Sequence, residues 1–307
     1  MHKSVLLEEC INSLNLKEDS IIVDATLGYA GHSSKILKRI PKGKLICFDQ
    51  DSEAISASDK KLSKIANNYT IIKSNFKNIK AELKKININK VDGILFDLGV
   101  SSPQLDEDYR GFSFHKDAKL DMRMNQEQDF SAYNVVNEYS KEKLIDIFYK
   151  YGEEKYANSI ASKIVEERQK KPIETTLELV EIIKSAVPEK YKREKHPARK
   201  VFQAIRIEVN KELEVLEIAL NDALKLINKN GRICVITFHS LEDKMVKNIF
   251  KKASEKDDNL KNLPFIPDEY LPDYKVLKTL EPTKKELGEN NRARSSKLRI
   301  IERIKER

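Results

Sequence analysis

Within ten residues, Asp24-Ala25-Thr26-Leu27-Gly28-Tyr29-Ala30-Gly31-His32-Ser33 gathers an aspartate, two glycines and a histidine. Glycines at such spacing can take positive φ and let the backbone approach a ligand closely, and a helix opening after them offers free N–H groups to an anion. Asp49 follows Asp24 by 25 residues. An acid at that place in an α/β sheet accepts hydrogen bonds from ribose hydroxyls. A third acid opens Asp97-Leu98-Gly99-Val100-Ser101-Ser102-Pro103-Gln104. The glycine loop alone could be an ordinary strand-to-helix turn. With Asp49 and Asp97 it predicts an adenosine-type cofactor. The loop reads Gly28-x-x-Gly31 and lacks the third glycine of a dinucleotide fingerprint. Its polar start, Asp24 and Thr26, suits S-adenosylmethionine, whose amino-acid part needs polar partners rather than a pyrophosphate cradle.

The segment from Asp97 to Gln104 is placed for chemistry on an amine. An exocyclic amine conjugated to its ring is a poor nucleophile. Acceptors on its N–H groups make it less planar, and alignment with an electrophilic methyl does the rest. Asp97, Ser101, Ser102 and Pro103 are, by position, the candidates for holding that amine. Methylation at carbon 5 of a pyrimidine instead uses a cysteine thiolate, commonly after proline, and none of the nine prolines precedes a cysteine. Nitrogen is therefore the expected acceptor. The five histidines (His2, His32, His115, His196, His239) show no metal-ligand spacing, so no metal site is expected. His239-Ser240-Leu241-Glu242-Asp243 lacks the G-x-S-x-G elbow of a hydrolase and is expected to line the pocket or cap a helix.

These residues need a scaffold. Short apolar runs at Ile21–Asp24, Leu45–Asp49, Thr70–Ile72 and Val91–Asp97 alternate with helical patterns at Ser33–Ile40 and Ser52–Ala66, which predicts a parallel sheet with right-handed crossovers. A fifth strand, Ile233–Phe238, follows an amphipathic helix expected to end at an Asn230-Gly231 C-cap. The gap from Asp97 to Arg232 far exceeds the ~30 residues of one crossover, so about a hundred residues are inserted. The insertion reads helical, with a break at Gly152, a stop at Pro172 and a capping box at Thr175–Glu178. Pro264 to Pro282 reads as an irregular loop, and Lys275–Leu280 and Lys297–Ile301 could finish the sheet's far edge. The expected architecture is α/β, a Rossmann-like doubly wound sheet. Residues 1–104 and 208–307 form its core, and 105–207 form an inserted helical domain.

Composition agrees with a folded, nonmembrane chain: 307 residues, 40% apolar, 35% charged, with no run approaching 18 apolar residues. The apolar start at Val5-Leu6-Leu7 meets Glu8-Glu9, too short for a signal peptide core, so a cytoplasmic location is expected. Cys10, Cys47 and Cys234 form no CxxC pair, and Cys47 and Cys234 lie in strand-like runs as inert thiols. The net charge of +8 suggests an anionic partner.

Several strings carry a family resemblance. They are His2–Leu7, Asp24–Ser33, Asp97–Gln104, Arg110–Phe114, Leu120–Met124, His196–Ala198, Phe202–Arg206, Thr237–Asp243 and Asn291–Ser296. Together they resemble the bacterial 16S ribosomal RNA cytosine-N4 methyltransferases (MraW/RsmH family) from one end of the chain to the other. The resemblance implies a class I S-adenosylmethionine-dependent methyltransferase whose sheet is interrupted by a helical domain. It implies methylation at N4 of one cytosine in the decoding centre (P site) of 16S rRNA in the small ribosomal subunit. It also implies that Ala30, Gly31, His32, Asp49, Phe76, Asp97 and Gln104 hold the cofactor. Ala30 stands where the family has a glycine, which is compatible with a negative φ there.

Charge points to where RNA would lie. Residues 184–206 carry eight Lys/Arg against two Glu, and 284–307 carry nine against four, whereas 105–183 is net acidic. Such segregation suits a surface that tracks phosphates, though a solvated helix face would also show it. Arg199 and Arg206, seven apart on one helix face, are the candidate RNA contacts. A DNA or other RNA amino-methyltransferase is the nearest alternative. A nicotinamide oxidoreductase and a noncatalytic RNA-binding protein are the rivals from other classes. The sequence leaves oligomeric state open.

Overall fold

A computed structural model of the chain describes residues 4–100, 108–194, 196–256 and 270–306. Two units emerge, Met1–Gly99 with Leu213–Arg307, and Val100–Glu212. The first unit begins with α1 (Leu7–Ser13), β1 (Ile21–Asp24), α2 (Gly31–Arg39), β2 (Lys44–Asp49), α3 (Ser52–Leu62), β3 (Tyr69–Lys73), a 3-10 turn at Phe76–Asn78, α4 (Ile79–Lys85) and β4 (Val91–Asp97).

The second unit is helical: α5 (Ala132–Glu138), α6 (Lys141–Lys150), α7 (Ala157–Lys170), α8 (Thr176–Ser185), α9 (Glu189–Glu194) and α10 (Ala198–Asn210). Thr175 caps α8 in a capping box with Glu178, as its spacing predicts. Leu144, Ile147 and Phe148 of α6, Ile160 and Ile164 of α7, and Val201 and Ile205 of α10 meet in its core. This unit starts five residues before the expected position 105 and ends five after 207. The reason is that α10 is one unbroken helix whose apolar face completes this core.

The chain then returns through α11 (Glu212–Leu226), β5 (Ile227–Thr237), α12 (Ser240–Ser254), β6 (Tyr274–Val276), α13 (Lys284–Glu289) and β7 (Lys297–Arg303). The sheet order is β3-β2-β1-β4-β5-β7-β6. Strands β1 to β5 are parallel, and β7 runs antiparallel to β5 and β6. Ile22, Leu45, Leu95, Cys234 and Ile236 pack on one face with α1 and α2. Val23, Ile46, Phe96, Ile233 and Val235 pack on the other with α4, α11 and α12. Burial on both faces is why the strands read as continuous apolar runs. Cys10, Cys47 and Cys234 are free and buried, and burial pushes each thiol pKa up, that of Cys234 to about 12.

One expected boundary moves. The helix α11 stops at Leu226, and β5 begins at Ile227, well before Ile233. Asn230, at φ 65°, and Gly231 are not a helix C-cap. They belong to an irregularity in β5, where pairing jumps from Val91↔Ile227 to Gly93↔Arg232, and the Asn228 side chain donates to Asp92 Oδ1 at 2.8 Å. A left-handed Asn before Gly serves a bulge as well as a helix end, so local sequence does not separate the two. The expected far-edge strands exist as β6, with a further bridge between Leu280 and Leu298, and β7. Among the described residues, no helix is long and apolar enough to cross a membrane. Of the proline-rich segment, 264–269 lies outside them, and 270–282 holds β6 and the Leu280 bridge rather than irregular loop alone.

Candidate active site

The strand order reverses between β1 and β4, and in open α/β sheets ligands bind at the carboxyl ends beside such a switch point. Asp24, Asp49 and Asp97 each end one strand at that edge. Their local fates differ.

Asp24 is buried and spent on the loop itself. Its Oδ1 accepts from Thr26 N–H at 3.1 Å and its Oδ2 from Ser33 Oγ at 2.6 Å, tying the end of β1 to the first turn of α2. Burial raises its pKa. Between these ties the loop is stitched on both sides, by Ala25 N–H to Leu95 O, Leu27 N–H to Phe48 O, and Ser58 Oγ to Gly28 O at 2.6 Å. Asp24 therefore orients the loop.

The loop turns through Gly28 at φ 48° and Ala30 at φ 54°. Ala30 does not have the negative φ that would make alanine indifferent there. It holds the left-handed conformation that glycine adopts without steric penalty, a strain of ~1–2 kcal/mol. Gly31 is glycine for another reason: a Cβ there would lie 1.8 Å from Ser4 Oγ. Ala30 is the N-cap of α2 and provides no side-chain cap. The first-turn N–H groups of Gly31, His32 and Ser33 have no acceptor within the helix, which makes this end a seat for a carboxylate.

Asp49 Oδ2 accepts from Gly28 N–H at 2.8 Å and Oδ1 from Asp51 N–H at 2.9 Å. The Gln50 N–H acts on the same carboxylate, and of its roughly four lone-pair sites capacity remains for a ribose hydroxyl. Burial raises its pKa to about 6, against the opposing pull of these bonds. Ser74 N–H donates to Asp49 O, and Asn75 Nδ2 to Gln50 Oε1, so the turn after β3 is fastened to the end of β2. That turn presents Phe76, half-buried, edge-on to Phe96 with ring centroids 5.6 Å apart.

Asp97 is the least satisfied acid. Its N–H donates to Thr26 Oγ1 at 2.6 Å, whereas its buried Oδ1 has no hydrogen-bond partner among the described residues. Oδ2 lies 3.5 Å from Nδ1 of His32. Burial, then the charges of Asp24 and Glu242, raise the Asp97 pKa to about 8. Burial lowers that of His32 to about 4, so the ring is neutral and its Nε2, 3.1 Å from Val5 O, carries the hydrogen. His32 Nδ1 and the protonated Asp97 carboxyl then face each other as acceptor and donor. A buried, orphaned carboxyl oxygen suits a cation or an amine N–H.

The end of β5 brings in Glu242, from the His239–Asp243 motif. Glu242 Oε2 accepts from Phe238 N–H at 2.8 Å and His239 N–H at 3.3 Å, while His239 Nδ1 accepts from Glu242 N–H at 3.4 Å, capping α12. His239 and Glu242 are thus the helix cap that the motif allowed. Glu242 is also one of the charges that act on Asp97. Neither this nor the Ser58 contact leaves a signal in local sequence, because both depend on elements meeting in space.

The structure brings Ala30, Gly31, His32, Asp49, Phe76 and Asp97 to one edge of the sheet. Ser101, Ser102, Pro103 and Gln104 lie outside the described residues. In the second unit Arg199 is exposed. Arg206 is committed to a bidentate pair with Glu212, Nε to Oε1 at 2.8 Å and the terminal nitrogen to Oε2 at 3.0 Å, with 17% of its side chain exposed. Arg199 is therefore the better placed of the two for an external phosphate.

A seat for a carboxylate, an acid with lone pairs to spare for ribose, an aromatic beside it and a carboxyl oxygen unpaired among the described residues fit S-adenosylmethionine. Comparison with known proteins agrees. A family model described as the MraW methylase family matches residues 1–304. The chain is 51% identical over 307 residues to "Ribosomal RNA small subunit methyltransferase H" of Finegoldia magna, covering 99% of this chain and 98% of that one. It is 54% identical over 306 residues to the protein of the same name from Clostridium botulinum strain Loch Maree, covering 99% of each. With the match running almost end to end, the chain belongs to the MraW methylase family.

Proposed function

We propose that this protein methylates N4 of a cytosine in the decoding centre (P site) of 16S rRNA, within the small ribosomal subunit, in the cytoplasm. The observation that carries the reading is Asp97. It is an acid ending β4 at the cofactor edge, with one buried oxygen that has no hydrogen-bond partner among the described residues. The names of relatives at 51% and 54% identity supply the substrate class.

When bound, S-adenosylmethionine supplies an electrophilic methyl group carried on a sulfonium. The first-turn N–H groups of α2 hold its carboxylate, Asp49 its ribose hydroxyls, and Phe76 flanks the adenine. Asp97 accepts a hydrogen bond from an amine N–H, which leaves the nitrogen lone pair free to be aimed at the methyl carbon. Ser101, Ser102, Pro103 and Gln104 continue the chain from that acid and are assigned to the target amine and cofactor by their place in the motif. Displacement needs no covalent bond to the protein, and the three buried thiols are not placed to form one. Arg199, and Arg206 if its pair with Glu212 opens, would meet RNA phosphates.

Incubating the protein with methyl-labelled cofactor and unmethylated small subunits, followed by nucleoside mass spectrometry, tests the proposal. Label is expected in N4-methylcytidine. Recovery in 5-methylcytidine or N6-methyladenosine, or transfer to DNA but not to RNA, would overturn it.

A further inference from the structure

Two strings that the cofactor site leaves unused, Arg110–Phe114 and His196–Ala198, converge in the second unit. Phe114 and His196, 82 positions apart, stack with ring centroids 4.5 Å apart and planes 25° from parallel. The exposed ring of His115 leans on both, 4.4 Å from Phe114 and 5.3 Å from His196. Beneath them Phe202, 3% exposed, meets Phe114 edge-on at 5.7 Å and roots the group in the helical core.

We propose that Phe114, His115 and His196 form a stacking platform for an unpaired RNA base. This rests on the RNA reading above and names where such RNA would be gripped. Three features distinguish the group from ordinary core packing. First, its outermost ring faces water. A base has an aromatic face whatever its identity, and stacking of this kind contributes to single-strand binding without reading sequence. Second, His196 is biased toward its neutral form. Burial lowers its pKa, as do His115 and Lys184, against Glu181, so the ring presents a π face rather than a hydrated cation. Third, the charge around it matches RNA. Lys116 and Arg199 are exposed close by in sequence, Lys184 acts on His196 directly, and residues 184–206 carry eight Lys/Arg against two Glu. Phosphates would be held by those cations while the rings take a base.

The test uses the full chain and a small-subunit rRNA transcript as probe. His115→Ala removes an exposed ring, so folding and cofactor affinity should be unchanged. Its transcript affinity should fall about tenfold with the salt dependence intact, because stacking releases no counterions. His115→Trp should restore the affinity. Arg199→Ala provides the contrast, lowering affinity and reducing the salt slope by about one. Wild-type transcript affinity in His115→Ala would overturn the platform, as would a loss accompanied by a shallower salt slope. Unchanged transcript affinity with weakened binding to whole subunits would overturn it in favour of a protein contact. Wild-type protein that binds no transcript at all would instead overturn the RNA reading beneath it.

Discussion

Asp97 sits in a conflict that the fold does not relieve. No Lys or Arg ion pair reaches Asp24 or Asp97 among the described residues, and both acids are pushed toward their neutral forms by burial. With a folded pKa of about 8 against about 4 when unfolded, Asp97 keeps a proton on folding that the unfolded chain releases. The stability this proton gives is complete below pH 4 and is lost as pH rises toward 8. Asp97→Asn removes the conflict. Its melting temperature should exceed wild type by several degrees at pH 8 and by little at pH 4.5, measured by differential scanning calorimetry. A pH-independent gap would contradict the assignment. The same proton competes with a cationic ligand, so wild-type affinity for S-adenosylmethionine should strengthen between pH 6.5 and 8.5, and Asp97→Asn should bind weakly throughout. Stability and function oppose each other at this carboxyl, as is usual where a site holds an acid unpaired for a ligand.

At the scale of elements, the loop between β1 and α2 does most of the positioning, and it was partly legible. The acids that end β1, β2 and β4 stand out because each closes an apolar run, and strands buried on both faces cannot hide such a residue. The conformation of Ala30 was not legible, since its φ is set by contacts from β2, α3 and the N-terminal segment. Ala30→Gly should relieve left-handed strain and stabilise the protein by about 1 kcal/mol after the entropy glycine adds to the unfolded chain. A urea unfolding midpoint shifted upward at unchanged slope checks this. A downward shift would mean that the Cβ contributes packing worth more than the strain. Asn230-Gly231 failed as a helix end for a related reason. Residues that favour positive φ mark where the chain turns, not which element is turning.

Over the whole molecule, the sequence carried the division into a sheet unit and a helical insertion, because hydrophobic periodicity changes from strand-like to helical between Asp97 and the Thr175 capping box. Motif spacing marked Asp24, Asp49 and Asp97, which the structure brings to one edge of the sheet. The sequence could not carry the contact of Ser58 with Gly28 or the effect of Glu242 on Asp97, each made with a residue that only folding brings near. Arg206 illustrates the limit: two arginines seven apart predict one helix face, yet Glu212 engages one of them. Nor could spacing predict that Phe114, His115 and His196 would share a stack. The central claim remains where the donor molecule binds. A crystal structure of the protein with S-adenosylmethionine tests it most directly. Adenosine should lie between Asp49 and Phe76, the carboxylate at the first turn of α2, and the methyl group on the Asp97 side. Density for the ligand anywhere else, with these residues untouched, would contradict it.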